Sequence, residues 1–128
     1  MRAHRPSLLP RRRRNMHIKP GVKLWAGGIG LHERLLWALH ILEGLWGPNR
    51  LLTVTCALDG KHMKRSLHYK GLAVDVRTND IPSQEKVRLV ESAAAVLGPN
   101  FDVVLEDWGG TNEHLHVEFD PEGPWTTS

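Results

Sequence analysis

Two short segments of this chain alternate strictly between apolar and polar residues, and they constrain the fold more than any other feature. In residues 72–78, Leu72, Val74 and Val76 fall on one face and Ala73, Asp75 and Arg77 on the other. In residues 114–119, Leu115, Val117 and Phe119 share a face while His114, His116 and Glu118 share the opposite one. A period of two marks a strand that buries one face and leaves the other polar. Two histidines within three residues on a polar face are more than a half-buried strand needs.

The segments around them supply the other layers. Leu31, Leu35, Leu39, Leu42 and Trp46 recur at three- and four-residue steps, which predicts an amphipathic helix over 31–46 ended by Gly47 and Pro48. Residues 51–57 read as a buried strand and 58–67 as a polar loop with an Asp59-Gly60 turn. Gly27, Gly28 and Gly30 mark another loop. A second helix is expected from Pro82, running through Val87, Val90, Ala94 and Leu97 to a stop at Gly98. Residues 101–106 are a strand joined by a short loop to the last one, an arrangement that favours an antiparallel hairpin. The expected architecture is α+β: a small, mainly antiparallel sheet packed against helices.

At 128 residues the chain is one domain. Cys56 is the only cysteine, so no intrachain disulfide holds the fold, and its apolar neighbours read as those of a buried, inert thiol. Six of the 17 Lys and Arg residues are Arg2, Arg5 and Arg11 to Arg14. Setting these aside leaves 11 basic against 14 acidic residues. The basicity therefore belongs to a tail, taken as residues 1–20, and residues 21–128 form a mildly acidic domain. An arginine run can touch nucleic acid or an anionic surface, but no interleaved aromatics accompany it, so no specific nucleic-acid partner is expected. No apolar run approaches the ~20 residues of a membrane span, and no secretory leader is evident. The expectation is a protein made in the cytoplasm, and a monomer.

The chemistry concentrates in two places. Ser66, His68, Gly71, Ala73 and Asp75 stand in register in the first, and Glu113, His114 and His116 follow some forty residues later. Asp75 lies between two valines in a strand, where a charge without a partner is costly. Two imidazoles and a carboxylate are a zinc ligand set with an open position, and a further carboxylate at Glu113 could take a proton from water. Gly71 suits a tight bend or a close approach of backbones. Ser66 could bond a ligand or cap a turn.

These residues resemble the zinc D-alanyl-D-alanine carboxypeptidases and their relatives, the phage L-alanyl-D-glutamate endolysins and the vancomycin-resistance dipeptidases. The shared pattern is Ser-x-His-x-x-Gly-x-Ala-x-Asp followed by Glu-x-x-His or Asp-x-x-His, and it spans roughly residues 28 to 120. The resemblance implies a Hedgehog/DD-peptidase type of fold. It implies Zn2+ held by His68, Asp75 and His116, with Glu113 as general base, His114 contacting the reacting substrate and Ser66 in support. Many members place an Arg near the strand before the first motif. Here residues 57–60 offer none, and His62 or Arg65 from the following loop is expected to stabilise the oxyanion. The implied substrate is a peptidoglycan stem-peptide bond next to a D-amino acid, cut by a D-Ala-D-Ala carboxypeptidase or an endolysin-type peptidase. A phage enzyme released to the cell wall suits a chain without a leader. Trp108 and Trp125 could line the substrate groove. Two rivals stand beside this reading: a non-catalytic zinc module of the same fold, and a nucleic-acid-binding protein acting through its arginine tail.

Overall fold

Strand pairing and the burial of two helical faces organise the molecule. The computed structural model describes residues 16–60 and 67–121. In chain order the elements are β1 (Met16–Ile18), β2 (Trp25–Ala26), β3 (Ile29–Gly30), α1 (Glu33–Trp46), β4 (Leu52–Cys56), a 3-10 turn (Leu67–Lys70), β5 (Ala73–Arg77), α2 (Ser83–Leu97), β6 (Phe101–Glu106) and β7 (His114–Phe119). Five strands form one sheet in the order β1-β4-β5-β7-β6, and β2 pairs with β3 in a small hairpin. Among the described residues only the β1–β4 pair is parallel; β4–β5, β5–β7 and β6–β7 are antiparallel. The result is a small α+β fold with a mixed sheet.

The sequence reading of the tail needs a correction at its end. The boundary expected at residue 20 falls inside an ordered segment, because Met16, His17 and Ile18 pair with Leu52, Thr53 and Val54. The six arginines of the tail lie outside the described residues.

Helix α1 starts at His32, whose ring accepts a hydrogen bond from the Arg34 amide, and ends at Gly47 in a left-handed conformation. Its inward face is Leu35, Ala38, Leu39, Leu42 and Trp46, and these side chains are buried. They pack with Leu52, Val54, Val74, Val76, Leu115 and Val117 from the sheet. Burying each of these side chains contributes roughly 1.5–3 kcal/mol.

Helix α2 buries only part of its apolar row: Leu97 is buried and Val90 packs against the core. Its buried residues are Lys86, Ala93 and Leu97, whereas Val87 is 48% exposed and Ala94 is also exposed. The apolar pattern misleads here because a lysine takes an inward position. Lys86 reaches under the sheet's end to the carboxylate of Glu113.

Both helices lie on one face of the sheet, touching β4, β6 and β7. The polar residues of β5, β6 and β7 point to the other face. Gly71 braces the edge of that face. Its φ is +70°, and a Cβ there would lie 2.3 Å from the carbonyl oxygen of Gly30. The Gly71 carbonyl also accepts from the His32 amide at 2.9 Å. The β2–β3 hairpin and the start of α1 thus hold the turn that carries His68, fulfilling both roles expected of a glycine at this position.

Candidate metal centre

Strand register assembles the site. Asp75 on β5 stands opposite His116 on β7, and Arg77 stands opposite His114. On the far side of β7, Glu106 of β6 faces His114. On the near side, a bulge between Val54 and Cys56 breaks the alternation of β4. Val54 stays in the core while Cys56 turns beside Asp75. His68 arrives from the 3-10 turn, its ring 3% exposed.

Two histidines converge on one oxygen of Asp75. Asp75 Oδ1 lies 3.2 Å from His68 Nε2 and 2.8 Å from His116 Nδ1. The remaining nitrogens are engaged by atoms that only accept. His68 Nδ1 is 2.7 Å from the Ala57 carbonyl oxygen, and His116 Nε2 is 2.7 Å from Glu118 Oε1. Those nitrogens must carry the hydrogens, which leaves His68 Nε2 and His116 Nδ1 directed at a carboxylate that has no hydrogen to give. A cation between the groups, a proton or a shared metal ion, resolves such a contact.

Metal-binding histidines commonly donate their outer N–H to a carbonyl or a carboxylate, as both rings do here. Ligand atoms around a tetrahedral zinc are separated by roughly 3.3 Å, close to the two spacings to Asp75 Oδ1; His68 and His116 themselves fall in separate metal-capable groups that share Asp75. Cys56, His68 and Asp75 form one group close enough to hold a metal ion, and Asp75, Glu106 and His116 form another.

The electrostatics follow from these contacts. Burial pushes the Asp75 carboxyl up, but the hydrogen bonds from His116 and His68 outweigh it and hold the group well below the usual carboxylate range. Burial works against a charged His116, yet its bonds to Asp75 and Glu118 raise it to about 10. Cys56 is pushed up to about 12 by burial and by the nearby charges of Asp59 and Asp75. Its Sγ lies 3.3 Å from the Asp59 carbonyl oxygen and 3.9 Å from His68 Nδ1. The thiol is half-buried at the rim of the centre, inert as expected but less enclosed than its apolar neighbours suggest.

Glu113 occupies a different environment. It is buried, with Lys86 Nζ 2.6 Å and the Gly109 amide nitrogen 3.0 Å from Oε1. Thr78 Oγ1 donates to Oε2 at 2.6 Å. Burial alone would raise its pKa; the three donors, Lys86 foremost, lower it. Glu113 still lines the same cleft of about 970 Å³ as Asp75, Arg77, Glu106, His114 and His116.

The structure therefore brings His68, Asp75, His116, His114 and Glu113 to one cleft. Ser66, His62 and Arg65 lie outside the described residues, as does Trp125. Trp108 is 52% exposed and lies against Lys86, 5.3 Å from ring centre to Nζ. Three contributors escaped the sequence reading. Glu106 and Cys56 reach the site through hairpin register and a bulge, which periodicity does not encode. Arg77 was placed on the correct face but given no role. No protein-family model and no curated protein matches the chain. Among the described residues, no helix is long and apolar enough to cross a membrane.

Proposed function

We propose that this chain is a zinc-dependent peptidase of the Hedgehog/DD-peptidase type, hydrolysing peptidoglycan stem-peptide bonds next to D-amino acids. The observation that carries the proposal is the convergence of His68 Nε2 and His116 Nδ1 on Asp75 Oδ1, with both outer ring nitrogens already donating. The resemblance of residues 66–75 and 113–116 to the zinc carboxypeptidase pattern supplies the substrate class. A zinc ion held by His68, Asp75 and His116 would supply Lewis acidity and lower the pKa of a coordinated water.

The chain's own residues do the rest. Glu113, kept ionised by Lys86, is the proton acceptor at the end of the cleft. The same ion pair weakens it as a base, since a carboxylate held by three donors gives up little free energy on protonation. His114, two residues from His116 on the same strand face, borders the reacting bond. Arg77 is the cation for the substrate. It lines the cleft, and among the described residues its side chain makes no hydrogen bond or ion pair. A planar guanidinium reads a carboxylate through two parallel bonds, so Arg77 fits the free carboxylate of a terminal D-residue.

Digestion of purified muropeptides by the zinc-loaded protein, with fragments identified by mass spectrometry, tests this reading. Cleavage beside a D-amino acid by the wild type and its loss in Glu113→Gln are expected. Intact muropeptides would contradict it. One observation favours the rival of a non-catalytic metal module: every Glu113 oxygen is already engaged. Zinc binding without hydrolysis would select that rival.

A further inference from the structure

The cleft crosses the whole sheet. Lys19, Thr55, Arg77, His116 and Glu106 line it, and they belong to or directly follow β1, β4, β5, β7 and β6, the spatial order of the strands. Met16 packs against the core, so alternation carries His17 and Lys19 to the opposite, open face. The Lys19 backbone is fixed on both sides. Its amide donates to the Val54 carbonyl at 3.0 Å, and its carbonyl accepts from the Val22 amide at 3.1 Å. Lys19 is exposed, and among the described residues its side chain makes no hydrogen bond or ion pair.

Strand register sets where this ammonium stands. Ile18 pairs with Val54 and Val54 with Val76, so Lys19, one step further on, lies beside Thr55 and level with Asp75. The separation from β5 is two strand spacings, about 10 Å. Arg77 instead lies two residues along β5 from Asp75. The two cations therefore leave the centre in different directions, one along the strands and one across them. The opposite flank is acidic: Glu106 and Glu118 line the cleft there, with side chains 49% and 27% exposed. The cleft is polarised across the sheet, positive at β1 and negative at β6 and β7. A ligand with two carboxylates fits such a field in one orientation.

We propose that Lys19 is a specificity residue that reads a second free carboxylate of the peptide, on the N-terminal side of the scissile bond. The inference rests on the peptidase reading above, which gives Arg77 to the terminal carboxylate. With Arg77 occupied beyond the bond, the chain before it runs across β4 toward Lys19. An extended peptide rises about 3.3 Å per residue, so the gap left by a reaching lysine is filled by about one or two residues. A γ-linked D-glutamate at that distance carries the required group as its free α-carboxylate.

Two synthetic stem peptides test the proposal, L-Ala-γ-D-Glu-L-Lys-D-Ala with the glutamate α-carboxylate free or amidated. Both are titrated by calorimetry into the full-length metal-free protein, which separates recognition from turnover. The wild type should bind the free acid about three- to fivefold more tightly, the scale of an exposed ion pair, and high salt should shrink the ratio. Lys19→Gln should bind the two peptides alike, Lys19→Glu should prefer the amide, and Arg77→Met should keep the preference for the acid. Melting temperatures close to the wild type show that each variant is folded. Equal affinities in the wild type, or a preference that survives Lys19→Gln, would overturn the role of Lys19 and leave the peptidase reading standing. No binding of either peptide would overturn it as well. A Lys19-dependent preference without hydrolysis by the zinc-loaded protein would keep this role and remove the peptidase reading.

Discussion

Lys86 Nζ lies 2.6 Å from Glu113 Oε1, both side chains being buried. This ion pair ties α2, on the covered face of the sheet, to the carboxylate that lines the open cleft. It explains why the helix turns a lysine inward, and it sets the charge state of the residue assigned to proton transfer.

Removing the lysine should therefore change chemistry as well as stability. Lys86→Met leaves Glu113 buried with Thr78 and Gly109 as its remaining donors, and its pKa should rise. Breaking a buried pair costs about 3–5 kcal/mol. In the variant that still folds, the acidic limb of the kcat profile should move to higher pH, as a stronger base requires. The pH dependence of muropeptide hydrolysis checks this; an unmoved limb would separate Glu113 from the proton transfer.

The metal-free protein should show a distinct stability profile. His116 is raised from 6.5 to about 10, so its proton stabilises the fold fully below about pH 6.5, progressively less up to about 10, and not above. Asp75 is depressed, so its contribution is present above about pH 4 and is lost as the pH falls toward its lowered value. Maximum stability of the metal-free form is expected between about pH 4 and 6.5. Zinc must displace the His116 Nδ1 proton, so zinc affinity should rise roughly tenfold per pH unit for each proton released. Melting curves with zinc and with a chelator from pH 5.5 to 8.5 measure both trends.

Gly71→Ala should damage the site from outside it. The new Cβ would meet Gly30 O at 2.3 Å in a left-handed conformation, costing at least about 1–3 kcal/mol. The turn carrying His68 would shift, and zinc affinity should fall with stability. Gly98→Ala is the control: its φ is +89° but its Cβ would meet nothing within 4 Å. It should lose stability alone.

Arg77 should report the substrate's end group. Arg77→Met should lower kcat/KM by about 10- to 100-fold on a peptide with a free carboxylate, the scale of one charge-assisted contact. Amidating that carboxylate should weaken cleavage by the wild type and leave the variant unaffected. Equal losses on both peptides would remove Arg77 from substrate recognition.

Much of this architecture was legible because periodicity reports burial directly. Leu35, Leu39, Leu42 and Trp46 of the expected row form the buried face of α1, whose helix begins two residues after Leu31, and the alternation of β7 matches its buried face. What failed to show is what depends on distant partners. Met16–Ile18 has a strand only because β4 offers it an edge, and the two-residue strands β2 and β3 carry no pattern long enough to see. The inward lysine of α2 did not show, because it answers to Glu113, 27 residues away. His68, Asp75 and His116 were visible as a motif. Glu106 was not, since nothing but the pairing of β6 with β7 sets it against His114.

Anomalous diffraction at the zinc edge, from crystals of the zinc-loaded protein, tests the central claim most directly. The account predicts a peak about 2.0–2.2 Å from His68 Nε2, Asp75 Oδ1 and His116 Nδ1. A peak on other residues, or none there at saturating zinc, would contradict it.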